Sequence, residues 1–414
     1  MELFDDIKVT YADKSDKDLN RAYFLFRIIS RPFFTKILTS ALQLAIRIHL
    51  PIKEIIKATI YKQFCGGTSI QASQSTVDNL WKSGIGTILN FSAEGKETLE
   101  DFTRTKQEII ATIQKANQSE NIPFAVFKPT AITSFSLLKK ITNKQTLNKQ
   151  ELEEKKEFES RINEICKTAV ELKVPLFIDA EESWIQGAID EMVMEMMQKF
   201  NEEKAWIFNT LQLYRSDRIA YLKEILSDAK NKNYFIGLKL VKGAYHRQEI
   251  ERANDLNYPC PVHRKKEDTD KDFNLAQKIC IENIDRISFC SATHNEESTA
   301  YLTDLISQQN LKKNDKRILF SQLLGMSDHI TYNLANKGYY TAKYVPYGPV
   351  KNVIPYLIRR AEENTSIAGQ MSRELTNIIK EKKYLEVTNF FFCIYFKSHY
   401  FNGMCFIAKF ESNQ

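Results

Sequence analysis

Around residue 356 the sequence reads PYLIRRAEEN. Tyr356, Arg359, Arg360 and Glu363 stand at i, i+3, i+4 and i+7, so a helix there presents all four on one face. Guanidinium is always charged and grips a carboxylate through two parallel N–H bonds, so two adjacent arginines beside a tyrosine make a clamp for a small carboxylic acid. Glu363, four residues beyond Arg359, is placed to hold an arginine in position. An isolated Arg-Arg pair is more often a solvated basic face. This pair is of chemical interest because it follows directly on the last of a series of apolar runs.

Those runs each end in polar groups. The ends carry Lys128; Asp179-Ala180-Glu181-Glu182; Gln212; Lys242-Gly243-Ala244-Tyr245; Thr293-His294-Asn295; Gln322; and Tyr344. If the runs are strands of one barrel, their C-terminal ends meet at one mouth, where barrel enzymes keep their catalytic groups. Lys128 or Lys242 could then form a Schiff base. A bound cofactor doing redox chemistry is equally compatible. No metal is expected: there is no HxH or HExxH, His294 is a lone candidate, and Cys260 with His263 supplies too few ligands. A GxSxG nucleophile is also absent.

The elements that must position these groups are legible as a repeat. Apolar runs rich in β-branched and aromatic residues occupy Gly86–Phe91, Phe124–Pro129, Leu176–Ala180, Trp206–Leu213, Gly237–Val241, Arg286–Thr293, Ile318–Leu324 and Ala342–Pro346. Between successive runs lies enough chain for a helix, as a parallel crossover requires. Continuous apolar strands alternating with helices predict a parallel sheet covered on its faces, and eight such units predict an α/β fold, a (β/α)8 TIM-type barrel. The alternative is an open doubly wound sheet. A dinucleotide version of it wants GxGxxG after an early strand, and the nearest match, Gly84-Ile85-Gly86-Thr87, lacks the third glycine.

Residues 17–63 read as an α-helical arm, with Pro32 and Pro51 as breaks. The charged stretch 140–160 reads as a solvated helix or insertion. From Tyr384 to the end, ten aromatics follow no clear period. The expected division is an arm over 1–83, the barrel over 84–383 and an atypical tail over 384–414. The net charge of the 414 residues is +6, without a basic block interleaved with aromatics, which excludes a nucleic-acid surface. Seven cysteines at irregular spacing suit a reducing compartment. The acidic start, Met1-Glu2-Leu3-Phe4-Asp5-Asp6, is neither a secretory signal nor a transit peptide, and no run of 18 apolar residues exists to cross a membrane.

The polar run ends resemble the proline dehydrogenase family. The matching stretches are Phe124–Pro129 (FAVFKP), Phe177–Trp184 (FIDAEESW), Lys239–Tyr245 (KLVKGAY), Ala292–Glu297 (ATHNEE), Phe320–Asp328 (FSQLLGMSD), Tyr344–Val350 (YVPYGPV) and Pro355–Asn364 (PYLIRRAEEN), in family order. The resemblance implies a distorted (β/α)8 barrel with FAD at the strand C-termini. It also implies oxidation of L-proline to 1-pyrroline-5-carboxylate, with electrons passed to a membrane quinone. Carried over by motif, Arg359 and Arg360 hold the proline carboxylate with Lys128 as a third positive group. Tyr245, Tyr344, Tyr356 and Leu324 surround the ring. Asp179, Lys239 and Tyr344 form the catalytic group. Ala180, Gln212, Lys239, Val241, Lys242, Gly243, Ala244, Thr293, His294 and Glu363 contact FAD. Lys239 departs from the arginine that many bacterial members carry beside the flavin, and the tail matches nothing in the family. With no second catalytic domain and no transit peptide in the sequence, the expected enzyme is monofunctional and cytoplasmic, with peripheral contact to the inner membrane. A hydroxyproline-preferring dehydrogenase and a Schiff-base lyase stay open beside this reading.

Overall fold

The structure, a computed structural model, describes residues 3–29, 53–92, 98–366, 373 and 375–382. All eight apolar runs are strands: β1 (Gly86–Phe91), β2 (Phe124–Phe127), β3 (Leu176–Ile178), β4 (Ile207–Gln212), β5 (Ile236–Val241), β6 (Ile287–Ala292), β7 (Ile318–Leu323) and β8 (Thr341–Tyr347). They pair in parallel in sequence order, and β8 pairs with β1 from Gly86↔Ala342 to Phe91↔Tyr347, which closes the barrel. The open sheet is thereby excluded. β2 is shorter than its apolar run because Pro129, which has no N–H to give a neighbour, opens a 3₁₀ turn over Pro129–Ala131.

The strand period of two sorts the side chains into two layers. Ile88, Phe124, Val126, Phe177, Phe208, Cys290, Leu319 and Ala342 fill the barrel interior. Their neighbours, among them Leu89, Ala125, Ile178, Leu238, Phe289, Phe320 and Val345, face the surrounding helices. Inside, Phe124 and Phe177 stack at 4.3 Å between ring centroids, and Phe208 meets both edge-on at 5.3 Å. This aromatic plug fills one level of the barrel, and the polar groups sit further along the strands toward their C-terminal ends.

Local chemistry starts the helices where the crossovers need them. Thr98, Ser134, Asn148 and Asn295 each accept a backbone N–H of the first turn through the side chain. Asn148 and Glu151 form a full capping box at the head of the Lys149–Glu171 helix. That helix overlaps the stretch expected to be solvated. Up to residue 160 it is mostly exposed, with Phe158 the buried exception, and beyond that it buries Ile162, Ile165 and Ala169 at helical spacing against the barrel. Most of its charged residues lie on the outer face, while Arg161 is buried and donates to Ile132 O.

The arm is helical where it is described, over Ile7–Tyr11, Asp16–Ile29 and a stretch from Lys53 to Phe64. Leu19, Leu25, Phe26, Ile56, Tyr61 and Phe64 pack with Val353, Tyr356 and Leu357 of the Val350–Ser366 helix. The arm thus forms a second core under the helix that carries Arg359 and Arg360. The tail from Tyr384 lies outside the described residues.

Candidate active site

Three strands are tied together at the mouth by one carboxylate. Asp179, just past β3, accepts from Lys239 Nζ of β5 at 2.6 Å on Oδ1 and from the Tyr344 hydroxyl of β8 at 2.7 Å on Oδ2. All three are buried. Lys239 Nζ also lies 4.6 Å from the centre of the Tyr344 ring and 5.6 Å from that of Phe177, so its charge rests on aromatic faces. Burial, reinforced by Asp179, pushes the Tyr344 hydroxyl well above the usual tyrosine range. It therefore remains a donor.

A second group sets two cations, with Glu181 and Glu182 close by, around one tyrosine. Lys128, at the end of β2, donates to the Tyr245 hydroxyl at 3.2 Å. The Arg359 guanidinium carbon lies 5.9 Å from the centre of the same ring, and so does Lys128 Nζ. Buried Tyr245 thus brings together a lysine from β2 and an arginine from the helix after β8. Burial raises the Tyr245 hydroxyl, while Lys128 and Arg359 oppose the shift. Tyr245 and Tyr356 are both close enough to Tyr344 to act on its ionisation. The backbones of Arg360 and Glu363 continue the same helix, and their side chains lie outside the described residues.

The third group lines the β4 to β6 side. Gln212 closes β4, is buried, and its Oε1 has no hydrogen-bond partner. Val241 is half-buried, and Gly243 and Ala244 are exposed in the turn that follows. Gly243 has φ +127°, and a Cβ there would lie 2.4 Å from the Tyr214 ring, so this turn requires glycine. Lys242 pairs with Asp270 beside Phe273. Burial lowers its pKa and Asp270 opposes that shift. Ala180 and Thr293 are buried, and Thr293 Oγ1 accepts from Asn295 N–H. His294 Nδ1 lies 2.9 Å from Ser327 Oγ.

Three residues expected at the mouth are engaged elsewhere. Leu324 packs with the outer layer, while Leu323 packs with the cluster of Tyr344 and with that of Tyr356. Leu323, one step along a strand whose faces alternate, is thus the leucine that shares a layer with Tyr344. Gln322 also faces outward: its Nε2 donates to Thr293 O and its Oε1 accepts from Thr331 Oγ1. Asn295 is a helix cap. Sequence reasoning missed Asn90, buried near the end of β1 with the parity of inward-facing Ile88. The signal was a polar residue inside an apolar run. Cys260 and His263 do not share a site: His263 pairs with Asp272, and the Cys260 thiol donates to Val262 O.

A sequence model of the proline dehydrogenase family matches residues 73–373. This chain belongs to that family. It is 32% identical over 318 residues to the carbapenem antibiotics biosynthesis protein CarD of Pectobacterium carotovorum, covering 77% of this chain and 82% of that one. With mitochondrial proline dehydrogenase 1 of Dictyostelium discoideum it shares 31% identity, covering 91% and 74%. A hydroxyproline dehydrogenase of Xenopus laevis is 26% identical, covering 89% and 87%. Proline utilization A (PutA) of Bdellovibrio bacteriovorus, inactivated by N-propargylglycine, superposes with TM-score 0.69 at 19% identity, over 89% of this chain and 40% of that one. That likeness is one of fold: the same closed barrel with its helices. Membership of the proline dehydrogenase family makes the chain an oxidoreductase and sets aside the Schiff-base reading. Half-buried Lys242 is in any case paired with Asp270. Among the described residues no helix is long and apolar enough to cross a membrane.

Proposed function

We propose that this proline-oxidising enzyme converts L-proline to 1-pyrroline-5-carboxylate with FAD as the hydride acceptor, and that the electrons pass on to a membrane quinone. The observation that carries the substrate reading is Tyr245, flanked by Lys128 and Arg359. Two cations around one buried ring make a positive site for a carboxylate. Arg360 stands next to Arg359 on the same helix. Tyr344, Tyr356 and Leu323 supply a compact, mostly apolar wall for a five-membered ring.

The residues fit a flavin. Gln212 Oε1 is a buried acceptor without a donor, and an isoalloxazine ring carries an N–H to offer it. Ala180, Lys239, Val241, Gly243, Ala244, Thr293 and His294 would hold the rest, with Lys242 and Glu363 at the margin. Bound there, FAD supplies the two-electron acceptor that a C–N oxidation needs.

The chain's own groups bind and orient. Arg359 and Lys128 hold the carboxylate, which fixes the ring relative to the strand ends. As a hydride leaves C5, the nitrogen lone pair closes the C=N bond, and the resulting iminium gives its proton to solvent. Asp179 has both oxygens engaged by Lys239 and Tyr344, so it serves as an electrostatic anchor and is not a free base. The proline amine must therefore arrive neutral, and turnover should rise with pH. Lys239, at the mouth, supplies positive charge that stabilises negative charge developing during reduction.

The test is an absorbance spectrum of the purified protein before and after L-proline, without oxygen. Flavin bands that bleach support the reading. Bands that persist with proline and bleach with hydroxyproline would move the substrate, and a protein that takes up no FAD would overturn the reading.

A further inference from the structure

We propose that Lys14, Asp328 and Lys343 form a latch through which the N-terminal segment positions the substrate wall at Leu323. The inference rests on the reading of this mouth as the proline site.

Lys343 sits in the middle of β8 between Ala342 and Tyr344, which face the barrel interior. Its own side chain therefore enters the layer between strands and helices, where the neighbouring outward residue is Val345. It is fully buried. A buried ammonium is tolerated only where its donors are met. Here its three N–H groups reach Met326 O at 2.6 Å, Asp328 Oδ1 at 2.8 Å and Leu323 O at 3.4 Å. The lysine thus gathers both ends of the turn after β7. That turn is strained: Ser327 holds φ 50°, a left-handed conformation that costs a residue with a β-carbon. The same Ser327 bonds His294, and Leu323 at its start touches the clusters of Tyr344 and Tyr356.

The second oxygen of Asp328 is taken from outside. Lys14 Nζ, between the first two helices of the arm, reaches Asp328 Oδ2 at 3.1 Å and lies 5.7 Å from the Tyr332 ring centre. Burial alone would lower the Lys14 pKa, but Asp328 more than offsets that and raises it. The carboxylate is thus oriented by one half-buried ammonium from the arm and one in the core. Without Lys14 it is free to turn toward water, and the grip of Lys343 on the Leu323 and Met326 carbonyls loosens. Lys14 is a positioning residue in this scheme and touches no reacting atom.

Lys14 is accessible, with 29% of its side chain exposed, so its substitution tests the latch without emptying the core. The flavin-loaded full chain would be compared as wild type, Lys14→Met and Lys14→Arg. In Lys14→Met, KM for L-proline should rise about three- to thirtyfold while kcat stays within about twofold and flavin content holds. Lys14→Arg should restore most of the affinity. A KM unchanged in Lys14→Met would overturn the latch, as would kcat and KM lost together in proportion to lost flavin. Failure of the wild type to reduce its flavin with proline would instead strike at the substrate reading, so the two failures are distinguishable.

Discussion

The Tyr344 hydroxyl lies 2.7 Å from Asp179 Oδ2, a bond that joins β8 to the end of β3 across the barrel mouth. Tyr344→Phe keeps the ring beneath Lys239 and deletes only this donor. One buried carboxylate oxygen then lacks a partner, which costs about 1–3 kcal/mol. Urea unfolding of the flavin-free protein should show that loss, and rapid-mixing experiments should show slower flavin reduction. A variant as stable and as fast as wild type would remove Asp179 and Tyr344 from the mechanism.

Gln212 makes a prediction with opposite signs in the two states. Its Oε1 is buried and unpartnered, so Gln212→Leu should stabilise the flavin-free protein by about 1–3 kcal/mol. The same change should weaken FAD binding, read by titrating flavin fluorescence. If the flavin-free protein gains nothing and FAD binds as before, Gln212 does not face the cofactor.

Arg359→Ala removes one of the two cations around Tyr245. A charge-assisted hydrogen bond to the carboxylate is worth about 1.5–3 kcal/mol, so its removal should raise KM for proline by about ten- to 150-fold, with flavin content unchanged. The reverse pattern, flavin lost and proline affinity kept, would place the arginine helix on the cofactor side.

Glu181 gives a pH signature. Its carboxylate accepts from Thr130 N–H and Oγ1, yet burial raises its pKa above the ordinary 4.5, with Lys128 opposing. A raised folded-state value means that the folded protein holds the proton more tightly than the unfolded chain. Wild type thus has the full benefit below about pH 4.5 and loses it as pH rises through the folded value. Glu181→Gln cannot suffer that loss. Its stability relative to wild type should improve between pH 4.5 and neutrality, measured by denaturation midpoints at both. A difference that stays flat with pH would show that Glu181 titrates normally.

The barrel was legible because its strands are mostly apolar on both faces, and such runs stand out against amphipathic helices. Strand ends were less so: proline at 129 stops β2 before the apolar run does. The polar ends were legible as a set, but not the side each one takes. Gln322 and Leu324 share a parity with outward Ile318 and Phe320, whereas Leu323 shares that of inward Leu319. Counting in twos along β7 would have found this. Lys343 was overlooked because its partner Asp328 lies past a turn and Lys14 lies in another part of the chain. No local pattern announces a pairing of that range.

The ties of the arm also bear on how the chain folds. Asn333 Nδ2 lies within hydrogen-bond reach of Phe4 O, Asp6 O and Thr10 Oγ1 and shares its two N–H groups among them and His329 O, across sequence separations of 329, 327 and 323 residues to the arm. During synthesis these N-terminal residues emerge long before the helix that receives them. Closing so long a loop has a large entropic cost that is met only once the intervening barrel exists. Residues this early in the chain are thus among the last to dock. Until then the apolar face of the Asp16–Ile29 helix stays uncovered, so the nascent chain is open to aggregation until the helix at Val350–Ser366 has been made.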